Sequence, residues 1–125
     1  MSNRTFRVAM SAEVHQVLRD HLLRPDGQED LCFALWTPSE GSERVTALIH
    51  TVLVPQAGER QVHGNASYNP QYLRRACDEA VRMSCGVALL HSHPRGRGWQ
   101  GMSDDDIEAE RRCAGPAGAL TGLPF

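Results

Sequence analysis

The stretch LCFALWTPSEGSERVTALIHTVLV, residues 31–54, contains two apolar runs separated by a polar segment. The first run, residues 31–36, is short and bounded by turn residues, which favours a buried strand. The second, residues 44–54, is rich in β-branched side chains and stops at Pro55, which also favours a strand. We predict that residues 37–43 form a turn and that the two strands pair as an antiparallel hairpin.

A helix is predicted before this hairpin and another after it. A short strand at residues 6–9 is followed by Ser11, a good N-cap, and by a helix that ends at residues 25–27. Asn69 and Pro70 supply the N-cap and first-turn proline of the second helix. The residues expected on the apolar faces of the two helices are Val14, Val17, Leu18 and Leu22, and Tyr72, Leu73, Ala76, Ala80 and Met83.

Two further strands complete the predicted order of elements. One is expected at residues 61–67, and a short buried one at residues 87–90, after Gly86 has closed the second helix. A third helix begins at Ser103. This order predicts an α/β fold of the mixed α+β kind, with a mixed sheet flanked by helices, in a single domain over residues 1–125.

Composition excludes several classes of function. With 125 residues, of which 41% are hydrophobic and 22% charged, the chain has the balance of one globular domain with its own core. Its net charge of -2 comes from 13 basic and 15 acidic residues spread along the sequence. The protein therefore has no strong electrostatic field that would favour binding to nucleic acid or to an anionic membrane. Because no signal peptide and no apolar run of about eighteen residues is present, we expect a cytoplasmic protein without membrane or nucleic-acid partners.

The four cysteines are Cys32, Cys77, Cys85 and Cys113. They form neither a CxxC pair nor a disulfide framework, which indicates buried or free thiols in a reducing compartment. Cys85, just before the strand at residues 87–90, is the candidate for a reactive thiol.

The chemistry is concentrated in HSHPRGRGWQGMSDDD, residues 91–106. His91 and His93 are two residues apart at the end of a strand, so both imidazoles can face one point while Ser92 turns away. A glycine-rich loop then leads to Ser103, the N-cap of the third helix, and to Asp106 in its first turn. Two imidazoles and one carboxylate, with water in the open fourth position, are the ligands of a catalytic zinc.

Another interpretation of the acidic run stays open. Ser103-x-x-Asp106 also fits a capping box, and the first turn of a helix favours acids such as Asp104 and Asp105 through its dipole alone.

His91-Ser92-His93-Pro94 followed by Ser103-x-x-Asp106 resembles the signature of the JAMM (JAB1/MPN+) zinc metalloproteases. The GWQGM variant is similar to bacterial JAB domains of ubiquitin-like pathways. Nine residues, 94–102, separate His93 from Ser103, which is longer than the family's usual spacing. The resemblance implies an MPN, cytidine-deaminase-like sheet flanked by helices. Since that domain continues with further strands, we expect this chain to lack its C-terminal strands, with GALTGLPF, residues 118–125, beginning an apolar strand.

The resemblance also implies roles for individual residues. Zn²⁺ would be held by His91, His93 and Asp106, and Ser103 would donate a hydrogen bond to the bound water or the developing oxyanion. A glutamate upstream would be the general base; Glu29 matches it, with Asp30 as competitor because a one-residue slip reverses the face. The implied activity is isopeptidase or peptidase cleavage at the tail of a ubiquitin-like protein, with adenylating and conjugating proteins as pathway partners.

Three other interpretations remain. The same two histidines and carboxylate form the facial triad of non-haem iron enzymes. An MPN-type domain without metal would act as a scaffold or binding module. A related enzyme would release amino acids or sulfur carriers from thiocarboxylated or peptide-linked partners.

Overall fold

The structure is a computed structural model that describes residues 5–94, 114–115 and 117–125. Within these ranges the strands are β1 (Thr5–Met10), β2 (Leu31–Glu40), β3 (Arg44–Leu53), β4 (Arg60–His63), β5 (Asn65–Tyr68) and β6 (Gly86–His91). The two longer helices are α1 (Ala12–Leu22) and α2 (Pro70–Met83), and residues 117–121 are helical as well. In the part of the chain so described, no helix has the length and apolar character needed to span a bilayer.

Four strands form a mixed sheet in the order β1-β3-β2-β6, and β4 and β5 form a separate two-stranded ribbon. β1 runs parallel to β3, whereas β2 is antiparallel to both β3 and β6. The mixed sheet and the predicted β2–β3 hairpin are therefore confirmed. The predicted turn at residues 37–43 is too long, because β2 continues to Glu40, which pairs with Val45. Polar residues are tolerated there because this end of β2 has left the core and is largely exposed.

The core forms because β2 is buried on both faces. Leu31, Phe33 and Leu35 belong to a cluster with residues of α2 and β6. Cys32 and Ala34 alternate with them, point to the opposite face and are also fully buried. Since α1 packs against β2 and β3 while α2 packs against β2 and β6, the sheet has helices on its faces.

The helix starts agree with the sequence, but the helix ends do not. The side chains of Ser11 and Asn69 accept from the backbone N–H of Val14 and of Tyr72, which confirms both N-caps. α1 ends at Leu22, before the predicted stop at residues 25–27. α2 ends through Ser84, which adopts the left-handed conformation (φ 53°), and not through Gly86. On the two helices, Val17 and Met83, predicted to face the core, are 44% and 43% exposed.

Gly86 has another role, as the first residue of β6. A Cβ at this position would lie 2.5 Å from the indole ring of Trp36, whose Nε1 donates to the Val87 carbonyl at 3.2 Å. Glycine is therefore required by the close approach of the Trp36 ring. The predicted strand at residues 87–90 is confirmed and extends to His91.

Two predicted strands are wrong. Residues 61–67 are not one strand but a hairpin, β4 and β5, that reverses at Gly64 with a φ of 88°. Residues 117–121, at the start of the predicted apolar strand 118–125, are helical, and Gly122 with a φ of 70° follows the last turn. Ala117 is fully buried in the α2 cluster, so this segment packs on the core as a helix.

Three of the cysteines are confirmed as core residues. Cys32, Cys77 and Cys85 are free and buried. Burial raises the pKa of the Cys32 thiol to about 12 and also raises the pKa of Cys85. Cys85 is only 1% exposed, and a raised pKa disfavours the nucleophilic thiolate, so its burial supports a role in the core. Cys113 lies outside the described residues.

The hydroxyl of Tyr72 connects α2 to the centre of the sheet. It accepts from the Phe33 backbone N–H at 2.9 Å and donates to the Leu53 carbonyl. Phe33 and Leu53 are partners in the β2–β3 register, so the phenol bridges the two strands.

Replacing Tyr72 with phenylalanine should lower the free energy of unfolding by about 2–4 kcal/mol, because a buried N–H and a buried carbonyl both lose their partner. Urea denaturation measures this loss. Tyr68→Phe is the comparison: its ring contacts the same Phe33 but is only half-buried, so the loss should be smaller. Equal losses in the two variants would contradict the bridging role.

Candidate functional site

The two histidines of the HSHP motif lie side by side at the end of β6. His91 is the last residue of this strand and pairs with Leu31 of β2. The Nε2 atoms of His91 and His93 are 3.0 Å apart, and the ring centroids are 4.8 Å apart. The two Nε2 atoms therefore converge, which agrees with the prediction that both imidazoles face one point.

This pair of nitrogens fits a zinc ion by its chemistry and spacing. Two imidazole nitrogens bound tetrahedrally at about 2.0–2.1 Å from zinc would be roughly 3.3 Å apart, only a few tenths of an ångström more than the separation found. The same separation also allows one ring to donate its Nε2–H to the other when no metal intervenes. Either way, the two Nε2 atoms converge.

Ser92 turns away from the imidazoles and is buried, as predicted. Its backbone N–H donates to the Asp30 carbonyl at 3.1 Å, and its hydroxyl accepts from the Asp30 backbone N–H at 3.1 Å. These two bonds extend the β2–β6 pairing by one residue beyond Leu31 and His91. They fix the HSHP motif against the segment that precedes β2.

Glu29 lies beside His93 in an open cleft of about 350 Å³. The cleft is lined by Asp26, Gly27, Gln28, Glu29, Gly64, His93 and Pro94. Glu29 is half-buried and is one of the residues that line the cleft. Because Asp30 and Ser92 continue the β2–β6 pairing by one residue, Glu29 and His93 are the next residues of the two segments.

Asp30, the competing acid, points into the protein and is only 1% exposed. Arg60 binds its carboxylate with two hydrogen bonds of 2.7 Å, Arg24 adds one of 3.2 Å, and the Leu31 backbone N–H adds one of 2.8 Å. His21 Nε2 is 3.5 Å from the same carboxylate. Of the two neighbouring acids, Glu29 alone lines the cleft with His93, and Asp30 has a structural role.

The electrostatics of Asp30 follow from these contacts. Burial opposes its ionisation, but the hydrogen bonds from Arg60 and Leu31 and the charge of His21 outweigh burial and hold the pKa of Asp30 below its usual value. The carboxylate is thus ionised and fully engaged at neutral pH, which leaves it no capacity as a proton acceptor.

The other two predicted site residues, Ser103 and Asp106, lie outside the described residues, as do Asp104 and Asp105 of the same acidic run. Asp106 as third ligand and Ser103 as hydrogen-bond donor stay predictions from the sequence. Sequence reasoning missed Gln28 and Gly64, which also line the cleft. They are 36 positions apart in the sequence. The sequence feature that could have indicated them is that both lie in polar, glycine-containing segments.

His50 and His63, two histidines outside the HSHP motif, have local partners. His50 contacts the hydroxyls of Thr37 and Thr51, at 3.0 Å and 2.8 Å, on an exposed part of the sheet. His63 contacts the Ser67 hydroxyl at 3.3 Å within the β4–β5 ribbon.

Comparison of the sequence with models of protein families and with curated proteins finds no match.

Proposed function

We propose that the protein is a zinc-dependent peptidase or isopeptidase that hydrolyses an amide bond in the cleft between Glu29 and His93. The observation that carries this proposal is the 3.0 Å separation of the Nε2 atoms of His91 and His93 beside a half-buried glutamate. His91 and His93 would hold the metal, with Asp106 as the third ligand that the family resemblance implies.

Bound zinc supplies a water molecule whose pKa is lowered from about 15.7 to near 7. The chain's own contribution is the handling of protons. Glu29, which lines the cleft, would accept a proton and return it to the leaving amine, as general acid–base catalysis requires. The neighbouring carboxylate of Asp30 is bound by Arg60 inside the protein, so it would not compete with Glu29 for the proton.

The cleft suits an extended peptide segment. At Gly27 and Gly64, which line it, a Cβ would meet no heavy atom within 4 Å, so the space beside both glycines is free of other described atoms. The absence of a side chain at these two positions lets an extended chain approach the wall of the cleft closely. That the segment is the tail of a ubiquitin-like protein, in a cytoplasmic pathway with adenylating and conjugating partners and inside an MPN-type fold, is the part of the proposal that rests on the resemblance of the HSHP and SxxD motifs.

The decisive experiment measures bound metal in the parent protein and in His91→Ala. We expect stoichiometric zinc in the parent and its loss in the variant, because removal of one imidazole leaves too few ligands. His50→Ala is the matched control. His50 is an exposed histidine of β3 that contacts the hydroxyls of Thr37 and Thr51, so this variant should keep its zinc. Metal content is read by mass spectrometry, and cleavage of a linear ubiquitin-like fusion by electrophoresis.

Each other result selects a different interpretation. Stoichiometric zinc in His91→Ala would show that the site is wrongly placed. Iron in aerobically purified protein, with oxygen-dependent turnover, would favour a facial-triad enzyme. A parent protein that binds no metal at neutral pH would favour the scaffold.

A further inference from the structure

We propose that Gln28 is a positioning residue, which holds Glu29 in the cleft by binding the turn of the β4–β5 ribbon at Gly64. The inference rests on the proposed function in one respect, the action of Glu29 as proton acceptor. The positioning itself stands on hydrogen bonds that are independent of any metal.

Gly64 is bound on both of its backbone groups by two consecutive residues. Its N–H donates to the Gln28 Oε1 at 2.8 Å, and its carbonyl accepts from the Glu29 backbone N–H at 3.2 Å. The turn at Gly64 is thus fastened to the segment that carries the base. Its φ of 88° restricts the position to glycine, so the turn presents both backbone groups in a fixed direction.

The side chain of Gln28 is anchored at its other end as well. Its Nε2 donates to Asp26 Oδ2 at 3.0 Å, and its backbone N–H donates to Asp26 Oδ1 at 3.0 Å. Arg24 binds the same Asp26 carboxylate at 2.7 Å. A chain of contacts therefore runs from Arg24 through Asp26 and Gln28 to Gly64.

Glu29 needs this support because no regular structure fixes it. Residues 23–30 belong to neither helix nor strand, and the β4–β5 ribbon is separate from the main sheet. Asp30 is fixed on one side of Glu29 through Ser92, and Gln28 fixes the other side through Gly64. A displacement of about 1 Å at a catalytic group can cost 10²-fold in rate, so this attachment controls the position of the base.

The chemistry of the amide explains why glutamine is needed. Its oxygen accepts from Gly64 while its nitrogen donates to Asp26. A glutamate of the same shape would keep the first contact but place two acceptors against each other at Asp26.

The test compares Gln28→Met, which keeps the length of the side chain and removes its polar atoms, with the parent. We expect kcat to fall about 10–100-fold with KM, zinc content and the midpoint of thermal unfolding unchanged. In a Glu29→Gln background the same substitution should have no further effect. Hydrogen exchange at the Glu29 amide, followed by NMR, should accelerate because its bond to Gly64 is no longer held.

A second pair of variants checks the donor–acceptor arrangement. Gln28→Glu should be impaired, because a carboxylate oxygen then replaces the Nε2 donor opposite the acceptor Oδ2 of Asp26. Gln61→Met, an exposed glutamine of β4, is the control and should behave as the parent.

The outcomes separate this inference from the proposed function. Unchanged kcat in Gln28→Met, or an additive loss in the Glu29→Gln background, would overturn the positioning role. Should the parent protein cleave nothing, the proposed function fails, and exchange at the Glu29 amide still decides whether Gln28 positions that residue: an unchanged rate refutes it.

Discussion

Glu29→Gln should lower the rate of amide cleavage by about 10²–10⁴-fold while leaving the zinc content unchanged. Glutamine has the shape of glutamate but accepts no proton, so the variant loses the general base alone. The contact of residue 29 with Gly64 uses the backbone N–H and is kept, so the folded structure should be preserved. Steady-state kinetics on a ubiquitin-like fusion, with metal analysis of the same sample, measures both quantities.

Glu40→Gln is the matched control for this result. Glu40 is an exposed acid at the other end of the strand that Glu29 precedes, and its replacement should leave the rate as it is in the parent. Normal cleavage by Glu29→Gln would show that another group takes the proton. Loss of zinc together with activity would instead place Glu29 among the groups that hold the metal.

Asp30→Asn should cause the largest loss of stability, about 3–5 kcal/mol, because it leaves the guanidinium of Arg60 without its buried charge partner. The amide can still accept from the Leu31 N–H, but it cannot match two guanidinium bonds of 2.7 Å. For a chain of this length the loss corresponds to roughly 10–20 °C in the midpoint of thermal unfolding. Urea denaturation at neutral pH gives the free energy directly.

Asp78→Asn is the control for a surface ion pair. Asp78 and Arg74 pair at 3.0 Å, but their side chains are 61% and 74% exposed, so this variant should lose no more than about 0.5 kcal/mol. Similar losses in Asp30→Asn and Asp78→Asn would contradict the structural role assigned to Asp30.

The pH dependence of the Asp30 effect has a fixed sign. The folded protein holds the pKa of Asp30 below its unfolded value, which is about 3.9. Its contribution to stability is therefore complete above that value and is lost as the pH falls through the folded pKa. The difference in unfolding free energy between parent and Asp30→Asn should be largest at neutral pH and shrink below about pH 4. A difference that grows in acid would refute this assignment.

The sequence predicts the central hairpin and the paired histidines because both depend on local patterns. The short apolar run at residues 31–36 and the two-residue spacing of His91 and His93 need no knowledge of distant partners. The choice between Glu29 and Asp30 could not be made in this way. It depends on Arg60 and Ser92, which meet Asp30 only after β4 and β6 have folded against the start of β2.

The errors in the fold have the same origin. The polar residues 37–40 read as a turn, yet they extend β2 because β3 is there to pair with them. The end of α2 was assigned to Gly86, since glycine is the usual residue in a left-handed cap, but Ser84 takes that conformation and Gly86 is reserved for contact with Trp36. Tertiary contact decided both cases.

Because Trp36 packs on Gly86, its fluorescence should depend on the position of β6. Its ring covers the first residue of the strand that ends in His91, and its Nε1 is bound to the next carbonyl along that strand. The protein has only one other tryptophan, Trp99, so conversion of Trp99 to phenylalanine leaves a single tryptophan, whose emission should follow the attachment of β6. The docking of β6, the strand that ends at His91, can thus be followed by tryptophan fluorescence.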